Sequence, residues 1–289
     1  DSSVMFSVLD MFTIGVGPSS SHTVGPMCAA QAFASSLEES GAVSRVGRIR
    51  VVLYGSLSLT GLGHGTDRAI LAGLEGNVPA TVDTDYLLSV RERCAHDGTI
   101  HVNGTNAIAY DDDGDMVFDR WKRLAPHPNG MRFQAFDAQG NIIDEQVWYS
   151  IGGGFIRRGR IDDALISNHE QTPASSQSPE DSGNDEAAEY GDGVPYPFVS
   201  CDGLIDLCRK HHLSIADVVW ANETARRSPQ EVRDRLTRIW NVMSHCIDAG
   251  CASATPTLPG GLDVPRRAPL MYRRLAANSD VLRRDRRIS

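Results

Sequence analysis

Apolar residues recur every three or four positions after Gly25, at Met27, Ala30, Phe33, Ala34 and Leu37. That spacing predicts a helix to about Ser40 with one buried face. Pro26 suits its first turn and Gly41 stops it. Arg48 to Leu59 alternates in part and is rich in Val and Leu, which predicts a strand. Gly61, Gly63 and Gly65 break it. Helices follow over about 66–74 and 82–95, the second with Leu87, Leu88, Val90 and Cys94 among its apolar residues. Thr99–Ala109 and Met116–Arg120 read as two strands joined by the acidic run Asp111–Asp115. That run lacks the spacing and closing glutamate of an EF-hand, and predicts a solvated hairpin turn. Met131–Phe136 and Asn141–Tyr149 read as a second hairpin around Asp137–Gly140. Gly152, Gly153 and Gly154 come next, without the helix start that a dinucleotide fingerprint needs. Residues 1–160 are therefore expected to form one α+β domain, a mixed sheet with helices.

From Ile161 to about Pro197 the pattern disappears. The stretch is rich in Ser, Pro, Asp, Glu and Gly and predicts a linker or insertion. Helical periodicity returns near 201–212, 214–227, 229–249 and 266–276, interrupted by Pro259-Gly260-Gly261. The fold class expected is thus an α+β domain followed by a short all-α segment. Trp220 and Trp240 sit at helical positions and are expected in the core. His211-His212 ends a helix, where cationic side chains are favoured on the surface.

Composition narrows the function classes. The 289 residues carry a net charge of −9. Nine of the acids fall between Asp162 and Asp192, where there is no Lys or Arg, and elsewhere acids and bases balance. A near-neutral body disfavours nucleic acid as a partner, and the arginines at 283–287 fit a frayed end. No apolar stretch reaches the roughly 18 residues of a membrane span, and no signal-peptide pattern opens the chain. A cytoplasmic location is expected. Cys28, Cys94, Cys201, Cys208, Cys246 and Cys251 form no C-x-x-C pair, and their spacings match neither zinc nor iron–sulfur patterns. Buried free thiols are expected.

Candidate chemistry concentrates between Gly15 and Met27. Three serines and a histidine stand between two Gly-Pro steps, on a loop just before the first long helix. A helix start offers unpaired N–H groups and partial positive charge, which suit a small carboxylate. Hydroxyls and an imidazole on the same loop add donors and a base that works near neutral pH. The same residues also fit a helix cap with a structural histidine.

Gly15-Val16-Gly17-Pro18-Ser19-Ser20-Ser21-His22-Thr23-Val24-Gly25-Pro26-Met27 resembles the signature of the bacterial iron–sulfur L-serine dehydratases. Gly63-His64-Gly65-Thr66-Asp67, His127-Pro128-Asn129-Gly130, Tyr149-Ser150-Ile151-Gly152-Gly153-Gly154-Phe155, and Leu258-Pro259-Gly260-Gly261-Leu262 with Arg266-Arg267-Ala268 agree with it in order. The resemblance implies an L-serine ammonia-lyase of amino-acid degradation, which eliminates water from L-serine to give pyruvate and ammonia. It implies a [4Fe-4S] cluster acting as Lewis acid. It also implies a base for the α-proton, with His22 the first candidate and His64 the second. Ser20, Ser21 and Thr23 become candidates to hold the substrate carboxylate or ammonium. Asp67 becomes a candidate to orient His64 or meet the ammonium, and Asn129 to line the same cleft. Each also has a plain reading as cap or turn chemistry.

The family's cluster-binding cysteines lie beyond the Leu258–Ala268 region, and none of the six cysteines maps onto them. The expectation is a partial product: residues 1–160 as the N-terminal domain, 161–197 as an acidic linker, and 198–289 as the truncated start of the catalytic domain. Its partners would be L-serine and either the missing C-terminal half or further copies of the chain. The alternative is an L-serine-binding or assembly module without turnover. Pyridoxal phosphate is disfavoured, because only Lys122 and Lys210 exist and neither lies in a phosphate-binding motif.

Overall fold

The computed structural model describes residues 7–168, 193–258 and 263–277. They divide into two compact units. One holds residues 15–168 with 257–258 and 263–264; the other holds 7–14, 193–256 and 265–277.

The first unit is a seven-stranded mixed sheet with helices on one face. Its centre is β1 (Arg48–Tyr54), whose burial alternates at the start and becomes continuous where both faces are covered. On one side β1 pairs antiparallel with β6 (Gly130–Phe136), β6 with β7 (Ile142–Gly152), and β7 with β8 (Phe155–Arg158). On the other side it meets β3 (Asn106–Ala109) at its first residue and β4 (Met116–Asp119) from Val51 onward, both parallel. The edge strand β2 (Thr99–Val102) pairs with β3. Helices α1 (Gly25–Glu39) and α3 (Thr66–Leu74) lie on one face, and Phe33, Leu37, Ile70 and Leu71 meet Leu53, Met131 and Phe133 in the main core. The two helices approach so closely that a Cβ on Gly73 would stand 2.3 Å from the Met27 carbonyl oxygen. Part of the opposite face carries a smaller cluster of Val52, Tyr54, Leu124, Val147 and Tyr149. Leu124 belongs to a two-stranded ribbon, β5 (Lys122–Leu124) with β9 (Leu165–Ser167).

Three local expectations are corrected. Thr99–Ala109, expected as one strand, is the antiparallel pair β2–β3. The strand expected to run to Leu59 stops at Tyr54, and α2 (Gly55–Thr60) begins there. Gly55 has φ +56°, a region that glycine enters without steric cost. A Cβ on it would stand 2.2 Å from the Pro128 carbonyl oxygen. The acidic run is neither a hairpin turn nor solvated throughout. It forms one helical turn, α5 (Asp112–Asp115), between β3 and β4 on the same edge of β1. Buried Asp115 pairs with Arg48, while Asp112 accepts from Arg91 of α4 (Thr84–Asp97) at 2.8 Å and from Tyr110 at 2.7 Å. Burial still pushes the Asp115 carboxyl above its usual range.

The second unit contains α6 (Cys201–His211), α7 (Ile215–Thr224), α8 (Pro229–Ala252) and α9 (Ala268–Ala277). Ser200, Ser214 and Ser228 cap the first three through their side chains. Glu223 of α7 accepts from the Ser7 hydroxyl (2.7 Å) and the Val8 amide (2.8 Å), which ties the residue 7–14 segment to this unit. Trp240, expected in the core, is 62% exposed because its face of α8 meets no covering element among the described residues. Trp220 is half-buried beneath Arg233. The cysteines depart from expectation too: only Cys94 is buried, and Cys201 and Cys246 are exposed on helix surfaces. No described helix is long and apolar enough to cross a membrane. The terminal arginines, Pro259–Leu262 and most of the acidic stretch lie outside the described residues.

Candidate functional site

Four loops converge at one end of the sheet, around the C-terminal end of β1. The first precedes α1. After a cis Gly17–Pro18 peptide, one turn of π-helix (Ser20–Val24) leads into α1. Ser19 caps it, its hydroxyl accepting from the His22 amide at 3.1 Å. The wide turn presents the His22 ring between two hydroxyls, Ser21 Oγ at 2.8 Å from Nδ1 and Ser56 Oγ at 2.9 Å from Nε2. Ser56 belongs to α2, and nothing in the sequence flags it, because its partner lies 34 residues away.

The second loop is the 3-10 turn Gly61–His64 before α3. It is buttoned to the first by two threonines. Thr23 donates to the His64 carbonyl at 2.8 Å, and Thr66 donates to the His22 carbonyl. The two imidazoles lie 4.9 Å apart between centroids. Their bonding differs. His64 Nδ1 is 2.9 Å from the Thr60 carbonyl oxygen, which only accepts, so Nδ1 carries a proton and in the neutral ring the lone pair is on Nε2. Both nitrogens of His22 are already engaged. Burial first, then the neighbouring His64, holds His22 below its usual value near 6.5, against a smaller opposing pull from Ser56.

The third loop carries His127 and Asn129. The Pro128 carbonyl accepts from the Ser56 amide at 2.9 Å. Asn129 trades bonds with Ser150: the Ser150 amide donates to its carbonyl at 3.0 Å, and its side-chain amide donates to the Ser150 carbonyl at 3.2 Å. The fourth loop is the tip of the β7–β8 hairpin, where Gly152, Gly153 and Gly154 take φ of +103°, +62° and +88°. It packs on the first loop, since a Cβ on Gly154 would stand 2.9 Å from Val24. Ser150 presses on the start of α1, where a Cβ on Gly25 would stand 2.1 Å from its hydroxyl.

The structure thus brings His22, Ser21, Thr23, His64 and Asn129 into one hydrogen-bonded neighbourhood. Ser20 is exposed on the same turn. Asp67 is buried and turned the other way: one carboxylate oxygen pairs with Arg91, and Oδ1 is enclosed without a hydrogen-bond partner. It makes no hydrogen bond to the His64 ring, whose Nδ1 goes to Thr60. Sequence reasoning assigned no role to His127, although its motif was visible. Its Nδ1 accepts from the Asn129 amide at 3.0 Å. Among the described residues no three His, Cys, Asp or Glu side chains converge as a metal set, and the six cysteines are dispersed over α1, α4, α6 and α8. The residues present do not fit an iron–sulfur cluster.

The family model described as serine dehydratase beta chain matches residues 7–160. An L-serine dehydratase of Streptomyces coelicolor is 41% identical over 274 residues, covering 95% of this chain and 56% of that protein. L-serine dehydratase 1 of Escherichia coli is 39% identical over 285 residues, covering 97% and 56%. An L-serine dehydratase of Helicobacter pylori is 35% identical over 270 residues, covering 93% and 54%. The chain spans about half the length of the curated relatives it matches.

Proposed function

The chain belongs to the serine dehydratase beta chain family, and from that premise we propose that it supplies the substrate-holding and proton-transfer part of an L-serine ammonia-lyase. The observation that carries this reading is the meeting of two imidazoles, one with an available lone pair, on loops buttoned together by hydroxyls. Elimination of water from serine needs a base for a weakly acidic α-proton. His64 Nε2 is the better placed group, because the Thr60 carbonyl fixes the tautomer that a base requires. His22 holds Ser21 and Ser56 in register instead. Ser20 and Ser21 offer hydroxyls to a small zwitterion, and the Asn129 side-chain oxygen offers an acceptor to its ammonium. Thr23 positions His64 rather than touching substrate, since its hydroxyl is buried on the His64 carbonyl. Asp67 fixes the first turn of α3 through Arg91.

No step here passes through a cluster, because these residues build no place for one. In this reading, groups outside the described residues assist departure of the β-hydroxyl. The acidic stretch that follows β9 serves as the linker to the helical unit, whose described residues would belong to the catalytic part. The protein works in the cytoplasm on free L-serine. The second reading is an L-serine-binding or assembly module without turnover.

Pyruvate release from L-serine separates the two. It is measured anaerobically, after reconstitution with iron and sulfide, for this chain alone and for the chain supplied with the C-terminal half of the Streptomyces relative. Turnover in the second case, lost with His64→Asn, is the expected result. Serine binding without pyruvate in either case favours the binding module. Turnover that survives His64→Asn would overturn the assignment of the base.

A further inference from the structure

His64 precedes α3 directly, and the two flanks of its turn are held differently. On one flank Thr23 and Thr66 bond it to the turn that carries His22. On the other, Asp67 stands three residues on, in the first turn of α3, with 4% of its surface exposed. Burying a carboxylate is costly unless donors surround it. Here Oδ1 is enclosed without a hydrogen-bond partner, and Oδ2 accepts from Nη1 of Arg91. Arg91 comes from the middle of α4 and is itself fixed from behind. Its Nε and Nη2 grip Asp112 at 3.0 and 2.8 Å, and the Tyr110 hydroxyl donates to the same carboxylate at 2.7 Å. The Arg91 guanidinium, against burial, holds Asp112 below the usual carboxylate range, so the grip is ionic at neutral pH. Tyr110, Asp112, Arg91 and Asp67 thus form one continuous chain of bonds from the end of β3 to the start of α3. The cleft of about 390 Å³ beside it is lined by Arg91, by Asp67 and by Leu62, which lies two residues before His64. Ile70, Leu71 and Leu74 anchor the body of α3 in the main core, so the ion pair acts on its first turn.

We propose that Arg91 is a positioning residue for His64: braced by Asp112 and Tyr110, it fixes Asp67 and with it the turn that keeps Nδ1 of the imidazole on the Thr60 carbonyl. The proposal rests on the reading of His64 as the base, since that bond is what leaves Nε2 ready to accept a proton. Without Arg91 the Asp67 carboxylate is left buried and uncompensated. The first turn of α3 then shifts to bring it to water, and the ring loses its place. A lysine serves both carboxylates poorly, because it lacks the planar fork of donors.

The tautomer of His64 tests this on the chain alone. Ring nitrogen shifts should show Nδ1–H in the unaltered protein and a majority of Nε2–H in Arg91→Met. Asp112→Asn keeps the Arg91–Asp67 pair but weakens its brace. It should move the ring the same way by less, and it decides the matter where Arg91→Met does not fold. Arg68→Gln is the control, because Arg68 lines the same cleft but pairs with the exposed Glu92, and the tautomer should not change. In the complemented enzyme Arg91→Met should lower kcat about 10- to 100-fold, the cost of a small misplacement, with KM within about threefold. Arg91→Lys should recover part of the loss. A ring wholly in the Nδ1–H form in Arg91→Met, or in Asp112→Asn where the first variant does not fold, overturns the positioning role. A loss carried by KM alone overturns it too. If the complemented enzyme makes no pyruvate, or keeps its turnover in His64→Asn, the reading of the base fails, and the tautomer still decides what Arg91 does.

Discussion

His22 and His64 face each other at 4.9 Å, yet their hydrogen bonds suit them to different tasks. His64 donates from Nδ1 and keeps a lone pair on Nε2. On the proposed function, His64→Asn in the complemented enzyme should therefore lower kcat by about 10²- to 10⁴-fold, the range of general acid–base catalysis, with little change in KM. His22→Asn should cost less in kcat and more in local order, read as faster amide exchange across residues 19–24. The folded protein also holds His22 below 6.5, so the unfolded chain binds more protons wherever the pH lies between the two values. Stability is then complete above about pH 6.5 and falls as the pH drops through the folded value. Urea midpoints measured between pH 7.5 and pH 5 should decline more steeply in the unaltered protein than in His22→Asn. The hydroxyls and imidazole of this loop were legible as chemistry from residue type alone. Ser56 was not, nor was the choice between the two histidines, because both depend on which atom of a distant residue comes within bonding distance.

At the scale of elements, the loops are placed by close backbone approach. Gly25→Ala would drive a Cβ into Ser150, and Gly55→Ala would combine an unfavourable φ with a clash on Pro128. Each should destabilise the sheet unit by about 1–3 kcal/mol or more, read from denaturant midpoints at constant m-value. Ser150→Gly removes both the atoms that a Gly25→Ala methyl would strike most closely, so the double variant should recover part of the loss. Helix periodicity found α1, α3 and α4 close to their ends, because long amphipathic patterns are set locally. The end of β1 was misread for a tertiary reason. Gly-Ser-Leu-Ser-Leu alternates like a strand, and the chain turns only because Gly55 can take a positive φ beneath Pro128. The acidic run was misread likewise. Its composition resembles a solvated turn, and Arg48 and Arg91, from distant elements, draw it inward.

At the scale of the molecule, the two units differ in how much they bury. The sheet unit has a continuous core, from Phe33 and Leu37 to Met131 and Phe133. In the helical unit, by contrast, Trp240, Ile247, Leu270, Met271, Tyr272 and Leu275 are all exposed. Apolar side chains exposed in such number promote association. The isolated chain should bind an apolar dye and sediment with concentration-dependent mass. Trp240→Lys with Ile247→Glu should reduce both while leaving the melting of the sheet unit unchanged.

The sequence by itself determined the class of the fold and the position of most helices. Those properties follow from periodicity, glycine and residue type, which act over a few neighbouring residues. Tertiary structure decided that the Thr60 carbonyl holds Nδ1 of His64, that the Thr23 hydroxyl bonds the His64 carbonyl, and that Asp67 pairs with Arg91. The last two are relations between atoms far apart in the chain, and only packing of the sheet brings them within reach of one another.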